Sequence, residues 1–436
     1  VHILFAICDN IQLSIVRLIN IVVDLVKDPP ARGSLTRSTT SSDRHFSARC
    51  EVEQRDDGPL ATSQLCPLAS RCFKNCCWKM KRDNTLQVLL GSVVIGGHSP
   101  VSVESMGRIY PGRIEECLSE IEAAALAGSD CFRIAVPDER ALSGIIQLKK
   151  YSPLPLIADI HFSPTIALKA VEAGIDGIRV NPGTWKNQLQ YHQLIEKLKA
   201  GSGVLRLGAN AGSLPSHLQK KGRVEALLDS IIEMLEVPQK KDFHRIILSA
   251  KSTDINETIE VYERLAATFS YPLHVGLTEA GEGFEGIIKS TIALGTILQK
   301  GIGNNIRVSL TSPNPILESQ VAVEILRGVG LRQKGIEVIS CPTCARTRGD
   351  VVSFVREIKA AVQKISSPSP LKLAIMGCEV NGPGEAKEAD LGLAFGKSTA
   401  LLFVRGKVIK TVHQQNALNE LIKQLRSMVS NQMVKE

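Results

Sequence analysis

The sequence predicts an α/β protein, a (β/α)8 barrel followed by a small α/β domain, and three observations carry that expectation. From residue 100 onward, short β-branched runs alternate strictly with amphipathic stretches, which calls for parallel strands joined by right-handed crossovers. Eight such units fill roughly 230 residues, the size of one closed barrel. After "GLRQKG" (330–335) the alternation restarts as a shorter unit.

The expected barrel strands are "VSVESM" (101–106), "CFRIAV" (131–136), "LPLIADI" (154–160), "GIRVN" (177–181), "VLRLGAN" (204–210), "RIILSAK" (245–251), "LHVGLTE" (273–279) and "NIRVSLT" (305–311). Helical stretches such as "RIEECLSEIEAAALAG" lie between them, and "IIKSTIALGTILQKG" closes on a C-terminal glycine. The second unit reads as strand "IEVIS", a helix from 351 to 363, strand "LKLAIM", two strands near "LGLAFG" and "ALLFVRGKVIK", and a closing helix. This divides the chain into a barrel over 80–330, a small domain over 336–436 and an atypical extension over 1–79. The extension opens on Val1, as a GTG start codon read literally would, and the expectation is a disordered segment or a mis-extended frame whose natural start is Met80. Asp9, Arg17 and Asp24 interrupt its apolar opening, which makes a poor membrane span, and it lacks the basic region and cleavage site of a signal peptide.

The 436 residues carry a net charge of +8, with no basic run interleaved with aromatics, so anionic small molecules or acidic proteins are expected partners and nucleic acid is not. Eleven cysteines, an odd number without a secretory signal, indicate a reducing cytoplasm rather than a disulfide framework. Six of them precede residue 80, and the spacing of Cys66, Cys72, Cys76 and Cys77 matches no common metal site.

Barrel enzymes carry their chemistry at the C-terminal ends of the strands. The polar residues there are Arg133, Asp159 with His161, Arg179 with Asn181, Arg206 with Asn210, Lys251, Glu279, and Arg307 with Ser309. A single charge in an apolar strand is ordinarily half of a structural ion pair. Five cations from five strands, against two or three acids, point instead to an anionic ligand, and a diphosphate fits. The loop "GEGFEG" (281–286) spells a dinucleotide fingerprint, but no acid occurs between Glu285 and Glu318 to bind a ribose, so it reads as a βα loop at the barrel mouth.

In the second unit Cys341 and Cys344 follow one strand, and Cys378 with Glu385 follows the next, so one end of the sheet can bring them together. The spacing leaves three readings open: an iron–sulfur cluster, a structural zinc site, or a dithiol. Zinc normally takes four Cys or His ligands, and the only later histidine is His413. A dithiol does not require Cys378. Three thiolates with a labile fourth position suit a cluster that touches substrate. The rival function is a non-redox barrel enzyme acting on a phosphorylated substrate, with zinc in the small domain.

The stretches "CPTCAR", "MGCEVNGPGEA", "ADIHF", "IRVNPG", "NAGSL", "LTEAG" and "GIGNNIRVSL" together resemble the 4-hydroxy-3-methylbut-2-en-1-yl diphosphate synthase family of the methylerythritol phosphate pathway, in its short bacterial form, from about residue 86 to the end. The resemblance implies a TIM barrel followed by a [4Fe–4S] domain, with Cys341, Cys344, Cys378 and Glu385 as cluster ligands. It implies reductive opening of 2-C-methyl-D-erythritol 2,4-cyclodiphosphate, loss of water, and two electrons from ferredoxin or flavodoxin. It places the cyclic diphosphate among Arg133, Asp159, His161, Arg179, Asn181, Arg206, Asn210, Lys251 and Ser309, makes Glu279 the proton-supplying acid, and implies a cytoplasmic homodimer in which one subunit's barrel mouth faces the other's cluster. The chain departs from the family in "ESMGRIYPGR", where Gly107, Arg108 and Tyr110 stand in place of a run of Thr and Ser.

Overall fold

The computed structural model describes residues 82–433 apart from positions 162, 186, 333, 334, 363, 364, 366, 368 and 381. The expectations for residues 1–79 lie outside the described residues.

The first described strands, β1 (Val88–Leu90) and β2 (Val93–Ile95), form an antiparallel hairpin. The barrel strands follow: β3 (Ser102–Met106), β4 (Cys131–Ala135), β5 (Leu156–Ile160), β6 (Gly177–Val180), β7 (Val204–Asn210), β8 (Ile246–Lys251), β9 (His274–Val275) and β10 (Asn305–Ile306). Their order is β8-β7-β6-β5-β4-β3-β10-β9, every pairing parallel. A parallel bridge between Leu248 and Leu273, with Leu248 N–H donating to Pro272 O at 3.0 Å, joins the two ends and closes the ring. The helices α1 (Ile114–Leu126), α2 (Glu139–Tyr151), α3 (Pro164–Glu172), α4 (Gln188–Ala200), α5 (Arg223–Lys240), α6 (Ile255–Thr268), α7 (Gly283–Gln299) and α8 (Leu317–Gly328) alternate with the strands. Asp138, Asn187 and Asp254 cap α2, α4 and α6 by accepting from the backbone N–H three residues on, as short polar side chains do at helix starts.

All eight expected strands are present. The seventh and eighth are shorter than the sequence suggests, two residues each, because the chain leaves the ladder after Val275 and Ile306. Beyond Val275 it passes through Glu279 at φ 53° and Gly281 at φ 109°, left-handed conformations that a strand cannot hold. The hairpin β1–β2 was not foreseen. Its Val88, Leu90 and Ile95 pack with Cys131, Ile157, Val204 and Ile247, all at or near strand starts, and so plug the end of the barrel opposite the chemistry. The two-residue loop Gly91-Ser92, with Gly91 at φ 57°, was the signal for it.

The later elements are β11 (Ile336–Ser340), α9 (Val351–Val362), β12 (Leu371–Met376), α10 (Gly382–Glu385), β13 (Leu391–Phe395), β14 (Thr399–Val404), β15 (Lys407–His413) and α11 (Ala417–Met433). One sheet runs β11-β12-β13-β14-β15, parallel through β13 and antiparallel beyond it. The stretch expected as one strand at "ALLFVRGKVIK" is a hairpin, since Arg405 at φ 47° and Gly406 at φ 76° turn the chain between β14 and β15. Among the described residues no helix is long and apolar enough to cross a membrane.

Candidate active site

Parallel register decides which side chains share the lumen. Asp159 pairs with Arg179 across β5 and β6, and Arg179 pairs with Arg206 across β6 and β7, so all three side chains lie on one face of the sheet. They meet Arg133, His161, Asn210, Lys251, Arg307 and Ser309 around a cavity of about 150 Å³ at the C-terminal ends of the strands. The lining thus carries four arginines, one lysine and one acid, Asp159.

Two carboxylates organise the cations from within. Asp159 stands 3.2 Å from Arg179 Nη1, 3.6 Å from Arg133 Nε and 3.5 Å from His161 Nε2. Glu104 on β3, which the sequence reading missed, accepts from Arg206 and lies 3.6 Å from Arg133 Nη1. It is 2% exposed. Burial would raise both carboxyls, but the neighbouring cations overcome it, Arg206 foremost at Glu104 and Arg133 foremost at Asp159, and hold both well below the usual carboxylate range. Arg179 Nη2 donates to Gly208 O at 2.9 Å, and with its amide turned to satisfy both neighbours Asn210 accepts from the same nitrogen at 3.3 Å. Burial lowers Arg133 to about 9.

These pairings leave donors over. The buried Nε–H groups of Arg133, Arg206 and Arg307 have no hydrogen-bond acceptor among the described residues. A buried donor without an acceptor costs about 1–3 kcal/mol. The cavity that these residues border, lined by four guanidiniums and a lysine, suits a ligand rich in anionic oxygen.

Asn181 and Glu279, both expected at the site, do not line the cavity. The Asn181 amide is committed to joining two loops, donating to Ser213 Oγ at 2.8 Å and accepting from Gly183 N–H at 3.0 Å. Glu279 lies one residue beyond the lining residue Thr278, in left-handed backbone that costs a non-glycine residue about 1–2 kcal/mol. Strain of that kind collects where a side chain must be aimed. The departing stretch after β3 also lies off the cavity: Arg108 donates to Ser312 O and Tyr110 OH donates to Asp138 Oδ1 at 2.7 Å. Sequence reasoning named Arg307 among the mouth cations without counting it in the site, and it missed Glu104, His274 and Asn305, which lie deeper in the strands.

In the second sheet, Ser340 pairs with Ile375, so the loops after β11 and β12 leave from the same end. Cys341 Sγ accepts from Gly377 N–H at 3.1 Å, and Arg348 N–H reaches Gly377 O at 2.8 Å. Gly382 N–H donates to Cys378 O at 3.2 Å, starting the short turn that ends at Glu385. Cys341, Cys344 and Cys378 are free thiols that are partly or fully exposed, whereas Cys117 and Cys131 are buried. Among the described residues no three His, Cys, Asp or Glu side chains converge closely enough to grip a single metal ion. A cluster of several irons is broader and takes its thiolates farther apart.

A closed barrel with a cationic mouth, followed by a sheet that offers three free thiols at one end, defines an enzyme of anionic substrates with a thiolate-rich second site. The chain belongs to the GcpE family: the GcpE TIM-barrel domain matches residues 85–323 and the GcpE protein C-terminal domain matches residues 337–427. It is 42% identical over 350 residues to the 4-hydroxy-3-methylbut-2-en-1-yl diphosphate synthase (flavodoxin) of Thermodesulfovibrio yellowstonii, covering 80% of this chain and 99% of that one. The protein of the same name from Geobacillus thermodenitrificans is 42% identical over 358 residues, covering 81% of this chain and 95% of that one.

Proposed function

We propose that the chain is an oxidoreductase of isoprenoid biosynthesis. It converts 2-C-methyl-D-erythritol 2,4-cyclodiphosphate to 4-hydroxy-3-methylbut-2-enyl diphosphate, with reduced flavodoxin or ferredoxin as electron donor. Two electrons and two protons enter, a ring carbon–oxygen bond opens, and one hydroxyl leaves as water. The observation that carries this reading is a cavity at the barrel mouth lined by four arginines and a lysine against a single acid. Relatives at 42% identity bearing the synthase name support it.

The barrel residues hold and neutralise. Arg133, Arg206 and Arg307 border the cavity that takes the diphosphate, so the charge that grows on the leaving oxygen meets preorganised cations. Asp159 fixes Arg179 and His161 against each other, and the Arg179 guanidinium is 2.6 Å from His161 Nε2. Lys251, Asn210 and Ser309 complete the contacts, and Asn181 positions the loop behind them. Glu279, aimed by its strained backbone, supplies a proton to the departing oxygen.

Cys341, Cys344, Cys378 and Glu385 hold a [4Fe–4S] cluster. The donor set fits: three free thiols that are partly or fully exposed, one already accepting a backbone N–H at sulfur, and a carboxylate as the exchangeable fourth ligand. Bound there, the cluster supplies electrons and a Lewis-acidic iron. The protein works in the cytoplasm as a homodimer that brings one subunit's barrel mouth to the other's cluster. The test is iron and acid-labile sulfide per chain after anaerobic purification, followed by turnover of the cyclodiphosphate with reduced flavodoxin. About four of each with product formed is the expected result; zinc after attempted reconstitution would overturn it.

A further inference from the structure

Beneath the cation ring a buried chain of hydrogen bonds runs from Ser102 through Asn305 and His274 to Lys251. Asn305 Nδ2 donates to Ser102 Oγ at 2.8 Å and faces Ser102 O at 3.3 Å, which turns its Oδ1 toward His274. His274 Nδ1 is in hydrogen-bond contact with that oxygen. Nδ1 therefore carries the ring proton; Arg206 Nη1, at 3.4 Å, is farther off and committed to Glu104. Nε2 is left as the acceptor, and Lys251 Nζ stands 3.1 Å from it. His274 is 0% exposed and Lys251 6%.

No carboxylate approaches Lys251 Nζ within salt-bridge distance among the described residues. The charged and titratable groups facing it are Glu104 on β3, Arg133 on β4, Arg206 on β7, His274 on β9 and Arg307 beyond β10. Three of the five are guanidiniums. Gly276 leaves the room for the amine, since a Cβ there would lie 2.6 Å from Nζ. One N–H of Lys251 is committed to His274, and the rest of the group borders the cavity.

We propose that His274 positions Lys251 as a proton acceptor, so that an anion entering the cavity brings one proton with it. Before binding, Nζ is an amine; its lone pair takes a proton from solvent as the anion arrives, and the resulting ammonium pairs with the ligand. The physical cause is that an ammonium among three guanidiniums is costly until negative charge enters beside it. Burial first, and then Arg307, Arg133 and Arg206, push Lys251 well below its ordinary value, and burial keeps His274 neutral. Binding thus adds a cation only when one is needed. The inference rests on the anion-site reading of the barrel mouth and names His274 as a positioning residue of it.

Calorimetric titration of the anaerobic holoprotein with the cyclodiphosphate, in two buffers of unlike ionisation enthalpy, tests it. Both phosphorus atoms of the ring are fully esterified or anhydride-linked, so the ligand itself takes up no proton near neutrality. About one proton should enter per ligand bound in the native protein, and none in Lys251→Arg, whose guanidinium is charged throughout. Equal heats in both buffers, or uptake retained in Lys251→Arg, would overturn it. A cyclodiphosphate that does not bind would sink the catalytic reading, and the same titration with sulfate, a dianion across this range, would still decide the proton count. His274→Gln keeps an acceptor for Lys251 and should keep the uptake, whereas His274→Leu should bind about tenfold more weakly. Equal affinity and uptake in these two variants would remove His274 from the role.

Discussion

Glu104 and Arg206 form an ion pair across the barrel, on β3 and β7, which are four strands apart in the sheet. The side chains are 1% and 4% exposed, and the same carboxylate also faces Arg133. The pair is the keystone of the cation ring, because it neutralises charge at a depth that water does not reach.

Glu104→Gln should therefore cost about 3–5 kcal/mol of folding stability, as buried charges do when one partner is removed. Urea unfolding measures it, and a loss below about 1 kcal/mol would show that the arginines are compensated elsewhere. The pH dependence has a definite sign. A carboxyl held below its ordinary value contributes stability above its unfolded-state pKa and loses it as pH falls through the depressed folded value. With ordinary values of 4.5 for Glu104 and 3.8 for Asp159, melting temperature should drop below that range, and drop less in Glu104→Gln. Parallel curves for the two proteins would remove Glu104 as a source of acid sensitivity.

Glu279→Gln should leave the iron chromophore and the melting temperature unchanged while reducing turnover by at least about a hundredfold, the usual scale of a lost acid. Near-native kcat would take Glu279 out of the reaction. Glu279→Gly provides the structural counterpart: removing a left-handed non-glycine residue should raise stability slightly while also abolishing turnover.

Cys378→Ser should bleach the iron absorbance and leave the far-ultraviolet dichroism intact, since this half-buried thiol stands outside the cores. Cys117→Ser, at a buried site in the barrel, should keep the chromophore. An unchanged spectrum in Cys378→Ser would defeat the ligand assignment.

Gly208→Ala should raise KM for the cyclodiphosphate by about tenfold or more. Its Cβ would lie 2.7 Å from Arg179 Nε, and that guanidinium has nowhere to retreat because Asp159 and Gly208 O already hold it. A KM within twofold of native would show that Arg179 is not a substrate contact.

Much of the site was legible in the sequence because parallel strands place residues by period. Asp159, Arg179 and Lys251 stand toward the C-terminal ends of apolar runs, and Arg133 and Arg206 interrupt such runs in phase with them, which marks the face of the barrel they occupy. Glu104 was passed over because a lone acid inside "VSVES" reads as an ordinary strand residue until its partners are known. His274 and Asn305 were passed over for the same reason, lying at strand starts where only the lumen connects them. The hairpin of β1 and β2 was within reach from its Gly91-Ser92 turn.

The sequence by itself determined the alternation of strands and helices, the ring of cations, the three late cysteines and the family, because all of these are recorded in residue type and local spacing. Only the tertiary structure decided which charges neutralise one another. Closing the ring brings β3 against β7 across the lumen and β9 beside β8, and pairings between residues a hundred positions apart leave no local mark. The three spare guanidinium donors, the strained backbone of Glu279 and the lysine held by a neutral histidine all follow from that closure.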